Sequence, residues 1–270
     1  MYDLIDKIYI INLKSSILRK KHMIKEINEN NIINYEFING IDKNSDEVLN
    51  LKKNGFVKTF PPCFRCNKIY CNCDNNILIK SQIGNWCSFI KIMKLIIKNN
   101  FQKLIMIFED DIKFTKNGSK NLYKIINKNI LDKYNINFDN PILIRIGSEY
   151  SDKYHNSNNS PRLSNIILMS NPAFIINKKF AESFLNNLNK IYTTSDIYIH
   201  KDLINIDKTI QHFTLLPLPI FDLSCGKFKS IPSEIHPKGC NKNDINRQRK
   251  HIKRIEYNEY LYDNSLIDNL

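Results

Sequence analysis

Apolar positions along the chain fall into two kinds of block. Some are short continuous runs, and others recur every three or four residues. Lys7-Ile8-Tyr9-Ile10-Ile11-Asn12-Leu13 is a run rich in β-branched residues and predicts a buried strand. Ser15 or Ser16 is placed to cap a helix over 18–30, with Met23, Ile24 and Ile27 on one face. Tyr35-Glu36-Phe37-Ile38 predicts a second strand, closed by an Asn39-Gly40 turn. This strand–helix–strand opening is the usual start of a sheet covered by helices.

Residues 44–79 lose the periodicity and contain Pro61-Pro62 and four cysteines, which predicts a loop-rich insertion. Ile83, Trp86, Cys87, Ile90, Met93 and Ile97 then recur at helical spacing over 81–99. Leu104-Ile105-Met106-Ile107-Phe108 is continuously apolar, as expected of a central strand buried on both faces, and it stops at Glu109-Asp110-Asp111. Downstream, the pattern predicts a helix over 122–131, a strand over 141–147 and a polar loop over 148–163. Strands at 166–169 and 173–176 around Pro172, a helix over 178–191 and an apolar stretch at 213–216 follow. No repeat and no second domain boundary interrupt this order. The reading is one α/β domain over 1–242, with a Cys-rich insertion at 44–79 and a basic tail at 243–270.

Composition changes that picture little. The chain has 270 residues, enough for a single large domain with a real core. Its net charge of +13 comes mostly from Lys, a surface that attracts phosphates, acidic membranes or nucleic acid without selecting among them. The N-terminus lacks a basic segment followed by an apolar run, and no apolar stretch reaches the roughly 18 residues that cross a bilayer. A cytoplasmic protein is expected. Arg247-Gln248-Arg249-Lys250-His251-Ile252-Lys253-Arg254 is either a solvated helix or a contact for anionic lipid or nucleic acid.

Candidate chemistry concentrates at the acidic triplet. In open α/β sheets, ligands bind beyond the carboxyl ends of the strands. A strand that continued through the triplet would point Glu109 and Asp111 to one side and Asp110 to the other. Adjacent carboxylates repel unless a cation or solvent compensates, and hard oxygen ligands suit Mg2+ or Mn2+. Such an ion can grip a substrate diphosphate. A solvated turn after a strand is the plainer explanation. Cys63, Cys66, Cys71 and Cys73 offer four thiolates within eleven residues, enough for a structural Zn2+ site, although the Cys-x-Cys half is tighter than usual. Free thiols are the alternative.

Taken in order, these blocks resemble glycosyltransferase family 25. The opening Ile8-Tyr9-Ile10-Ile11-Asn12-Leu13 with Arg19 is similar to the family's first strand and downstream Arg. Phe37-Ile38-Asn39-Gly40-Ile41-Asp42 is similar to its second strand and turn. Ser81-Gln82-Ile83-Gly84-Asn85-Trp86-Cys87-Ser88 resembles its Gly-containing helix start, and the run ending in Glu109-Asp110-Asp111 its acidic strand end. Residues 171–185 and Thr194-Ser195-Asp196 resemble its later segments. The resemblance implies a GT-A type fold with a Rossmann-like mixed sheet flanked by helices. It also implies a UDP-sugar donor, Mn2+ or Mg2+, and inversion at the anomeric carbon. By matching position, Asn12, Arg19, Asp42 and Asp110 serve the nucleotide side, and Asp111 is the main metal ligand, supported by Glu109. Ser88-Phe89 departs from the family's frequent Ser-His, and the cysteine-bearing insertion is not a family feature.

Inversion needs a base for the acceptor hydroxyl. Asp196 is the first candidate by position, against the alternative that Ser195 or Asp196 merely caps a helix; Asp222 is second. His200, His212 and His236 are candidate third metal ligands or acceptor contacts, with His236 preferred because a late loop can close over a diphosphate. The acceptor is a hydroxyl on a glycan, a protein or a lipid-linked saccharide, and galactose or glucose is the expected sugar. Two rival readings use the same residues. A zinc-containing nucleic-acid-binding protein would leave the acidic strand end unexplained. A metal-dependent phosphoryl-transfer enzyme would lack a phosphate-cradling Gly-rich loop, since only 7 glycines occur.

Overall fold

A computed structural model describes residues 3–58, 78–148, 152–155, 160–168, 170, 172–224 and 230–231. The chain opens with β1 (Ile5–Asn12), α1 (Ile17–Glu29), β2 (Tyr35–Asn39), α2 (Asp46–Lys53) and α3 (Lys80–Asn99). Next come β3 (Leu104–Glu109), β4 (Ile112–Phe114), α4 (Gly118–Ile125), α5 (Lys128–Lys133), β5 (Ile142–Arg145) and β6 (Gly147–Ser148). Then follow α6 (Asp152–His155), β7 (Arg162–Ser164), β8 (Ala173–Ile176), α7 (Lys178–Asn187) and α8 (Ser195–Ile197). A π-helical turn (Tyr198–Asp202), α9 (Leu203–Ile206), β9 (Gln211–Leu216) and β10 (Ile220–Asp222) complete the order.

The main sheet has seven strands in the order β2-β1-β3-β8-β5-β9-β7. β2, β1 and β3 run parallel, whereas β8 is antiparallel to both its neighbours, so the sheet is mixed. Asn12 pairs with Asn39 and Ile11 with Glu109, which brings the carboxyl ends of the three parallel strands to one edge. Helices cover both faces. Phe89, Ile92 and Met93 of α3 pack with Phe180 and Phe184 of α7 on one side, and Met23 and Ile27 of α1 pack with Leu122 and Leu131 on the other. β3 alternates between the two cores: Ile105 and Ile107 enter the first, and Leu104, Met106 and Phe108 the second. The central-strand reading of this run therefore holds. A small sheet, β4-β10-β6, stands beyond the end of β3.

Several boundaries differ from the sequence reading, each for a local reason. The described part of the 44–79 insertion contains α2, begun by Ser45, whose hydroxyl accepts from the Val48 N–H. The helix over 122–131 is two, because Asn127 caps a fresh start by accepting from the Ile130 N–H. The strand over 141–147 is also two, and its halves belong to different sheets. Within 148–163 lie α6 and the start of β7. Residues 166–168 form no strand; Leu168 instead fills a small cluster with Leu216 and Leu218. The helix from 178 ends at Asn187. On α1, Ile24 is exposed, and the inward face carries Arg19, Met23, Glu26 and Ile27 instead.

Gly84 explains how α3 seats against the turn after β2. A Cβ there would stand 2.6 Å from the Ile41 carbonyl oxygen. One turn later the Ser88 hydroxyl accepts from the Ile41 N–H at 2.8 Å and donates to the Gly84 carbonyl at 2.8 Å. At an open helical site, Gly→Ala stabilises by about 1 kcal/mol. Here the collision decides the sign, since overpacking costs about 1–3 kcal/mol. Gly84→Ala is expected to lower the urea midpoint; an unchanged or raised midpoint would show that the turn gives way freely.

Candidate active site

The acidic triplet stands at the shared edge of β1, β2 and β3. It is not extended. The chain turns at Asp110 and Asp111 before entering β4, so the alternating side-chain directions expected of a continuing strand do not apply. Asp110 and Asp111 both reach Arg19 of α1. One guanidinium nitrogen, NH1, donates to Asp110 Oδ1 at 2.6 Å and to Asp111 Oδ2 at 2.9 Å. Asn12, the last residue of β1, donates to Asp110 Oδ2 at 2.7 Å. Glu109 takes a different partner: Asn85 of α3 donates to its Oε1 at 3.1 Å.

α1 is held in place by polar contacts along one face. Residues 19, 22 and 26 address successive points of the chain after β3. Arg19 binds the two aspartates, the His22 ring lies 2.7 Å from the Ile112 carbonyl oxygen, and Glu26 accepts from the Phe114 N–H at 3.2 Å. From the far end of the chain, β10 pairs with β4 so that Asp222 lies opposite Ile112, and the Leu223 N–H donates to the Asp111 carbonyl at 2.7 Å. A fourth carboxyl group thus joins the triplet. Asp222 Oδ1 also accepts from the Ser224 N–H at 2.5 Å.

Three buried carboxyl groups and the half-buried Glu109 share one guanidinium among the described residues, which leaves the site short of positive charge there. Burial raises the Glu109 pKa well above the ordinary range, and Asp111 and Asp222 push it further up. Burial raises Asp110 as well, against the pull of Arg19. Asp222 is raised to about 7 by burial and by Asp111. Asp111 is only 5% exposed, and its Oδ1 has no hydrogen-bond partner among the described residues. An unmet buried carboxylate oxygen, hard in character and beside excess negative charge, fits a divalent cation such as Mg2+ or Mn2+. Among the described residues, however, no three His, Cys, Asp or Glu side chains already converge as a ligand set.

Asp196 begins α8, and Thr194, rather than Ser195 or Asp196 itself, is the N-cap residue. Burial raises the Asp196 pKa, against hydrogen bonds from the Thr194 hydroxyl and from backbone N–H groups. α3 links this segment to the triplet twice. The Ser195 hydroxyl donates to Asn85 Oδ1 at 2.5 Å, and the Trp86 indole N–H donates to the Thr193 carbonyl at 2.9 Å. Asp42 lies apart, exposed in the turn after β2, where it accepts from the Asn44 N–H. His200 and His212 are brought to Arg145 instead of the carboxylates. His200 sits edge-on to Phe174, and Arg145 donates to its carbonyl at 3.0 Å. Burial and the neighbouring guanidinium lower both imidazoles, His212 to about 4, which leaves them neutral in the interior. His236, the four clustered cysteines and the basic tail lie outside the described residues.

Asn85 carries no role in the sequence reading, and Ser195 only that of a possible helix cap. Their signal was weak: a polar residue on an otherwise apolar helix, and a Ser beside a candidate base. Asp222 was foreseen only as a base, not as part of the acidic cluster.

An edge of this kind suits any reaction that handles a diphosphate. A model of glycosyltransferase family 25, described as LPS biosynthesis protein, matches residues 5–199. The chain belongs to glycosyltransferase family 25. No curated protein matches it. Family 25 membership sets the class of reaction as sugar transfer from a donor to a glycan-type acceptor, which displaces the nucleic-acid and phosphoryl-transfer readings. The match includes Asn12, Arg19, Asn85, the triplet and Asp196, and ends before Asp222. No helix among the described residues is long and apolar enough to cross a membrane.

Asp222 gives a pH test of the crowding. Folded, it keeps a proton up to about pH 7, whereas unfolded it loses that proton near pH 4. Its contribution to stability is therefore full below about pH 4 and is lost as pH rises to about 7. Asp222→Asn keeps an oxygen for Ser224 and removes the charge. It is expected to melt several degrees above wild type at pH 8, by roughly 1 kcal/mol or more, with the gap closing toward pH 4. A variant less stable at every pH would contradict the crowding.

Proposed function

We propose that the protein is a metal-dependent, inverting hexosyltransferase of GT-A type. It would move galactose or glucose from a UDP-sugar to a hydroxyl on a glycan, a protein or a lipid-linked saccharide. The observation that carries this reading is the unmet Asp111 oxygen, in an acidic cluster at the carboxyl edge of three parallel strands, in a family 25 chain.

Asp111 would hold Mn2+ or Mg2+, with Glu109, Asp110 and Asp222 as neighbouring carboxyl groups. Bound there, the ion would supply positive charge to the departing diphosphate. The chain's own residues do the rest. Asn12 fixes Asp110, and Arg19 brings guanidinium donors to the phosphate side of the site. Asp196, raised by burial, takes the proton from the acceptor hydroxyl as its oxygen attacks the anomeric carbon and the bond to the diphosphate breaks. The Asn85–Ser195 link fixes the spacing between the two halves of the site.

The test is UDP release from UDP-galactose and UDP-glucose with Mn2+ and a saccharide acceptor. Asp111→Asn is expected to lower kcat/KM by about 100-fold or more. Asp196→Asn is expected to lower kcat on the order of 100-fold with little change in KM. A wild-type protein that neither releases UDP nor is thermally stabilised by UDP with Mn2+ would sink the proposal.

A further inference from the structure

We propose that Arg19 occupies the place of the cation in the donor-free protein, so that a divalent ion enters the acidic cluster only by displacing it. This rests on the reading of that cluster as a cation site.

The geometry points to competition rather than support. A single nitrogen of Arg19 sits 2.6 Å from Asp110 and 2.9 Å from Asp111, bridging two carboxylates that belong to consecutive residues. Both aspartates and Arg19 are buried, so the bridge is little screened by solvent. A divalent ion held by these carboxylates would compete with the guanidinium for the same oxygens. The remaining Asp111 oxygen, Oδ1, is buried and unpartnered among the described residues, a potential cation ligand that Arg19 does not use. The same bridge accounts for the lack of a ready three-ligand set among the described residues. Asp110 and Asp111 are turned toward the guanidinium, and Glu109 toward Asn85.

Displacement also gives Arg19 a destination. Its own helix begins at Ile17, at the same edge of the sheet, so a guanidinium released from the carboxylates stays beside the site. There it meets the phosphates that arrive with the ion. Exchange of carboxylate for phosphate keeps the charge paired throughout. The cation and the donor then bind cooperatively, because each removes a cost that the other would face alone.

The experiment is a titration of the donor-free protein with Mn2+, followed by electron paramagnetic resonance of the free ion, for wild type, Arg19→Gln and Arg19→Lys. Arg19→Gln is expected to bind Mn2+ about tenfold more tightly than wild type, with Arg19→Lys between them. Thermal melting gives a second readout. Without Mn2+, Arg19→Gln melts below wild type because the carboxylates lose their partner, and Mn2+ raises its Tm more than it raises that of wild type. Affinity equal to or weaker than wild type in Arg19→Gln would overturn the proposal, since Arg19 would then support the ligands. So would the absence of Mn2+ binding in all three proteins. UDP release by the wild-type enzyme is measured separately, so glycosyl transfer can stand even when the exchange fails.

Discussion

Burying several carboxyl groups together is costly unless something positive stands among them. In this chain that role falls to Arg19, whose one nitrogen contacts both Asp110 and Asp111. Much of the surrounding structure serves that contact. α1 is fixed to the chain after β3 by His22 and Glu26, which sets the depth at which Arg19 enters. Asn12 closes the other side of Asp110 from the end of β1. A buried ion pair of this kind is weak grounds for stability, because desolvation offsets much of the attraction. It makes better sense as a poised site, since among the described residues one guanidinium leaves Glu109, Asp222 and an oxygen of Asp111 without full compensation.

α3 is the second organising element. Gly84 and Ser88 seat it against the turn after β2, Asn85 reaches Glu109, and Trp86 and Asn85 together anchor the segment that carries Asp196. One rigid helix therefore spaces the acidic cluster from the residue proposed to accept the proton. Trp86 further packs against Tyr198 and Phe184, so the anchor belongs to the core and not to a surface loop. The acidic cluster stands beyond the carboxyl ends of β1 and β3, where ligands of open α/β sheets gather.

How much of this the sequence disclosed depended on range. β1, β2, α3 and β3 were legible because each is a local pattern: a continuous run for a buried strand, a helical repeat for a covering helix. The place of Glu109-Asp110-Asp111 at the end of a central strand was legible for the same reason, as an abrupt end to an apolar run. Their geometry was not. The turn at Asp110 and Asp111 is fixed by Arg19, Asn12 and the Leu223 N–H, all distant in sequence, and no local rule foretells it. Asp222 joins the cluster only because β10 pairs with β4, a long-range register. His200 and His212 looked like candidate ligands as isolated imidazoles, and tertiary packing placed them against Arg145. Ile24 failed as a core residue because α1 turns polar residues inward to reach β4.

The central claim is that the end of β3 holds a cation, which in turn holds the donor's diphosphate. Anomalous scattering from crystals grown with Mn2+ and UDP tests it most directly. A manganese peak is expected within ligand reach of Asp111, with the diphosphate against it. UDP bound away from the shared edge of β1, β2 and β3, or manganese only at other carboxylates, would contradict it.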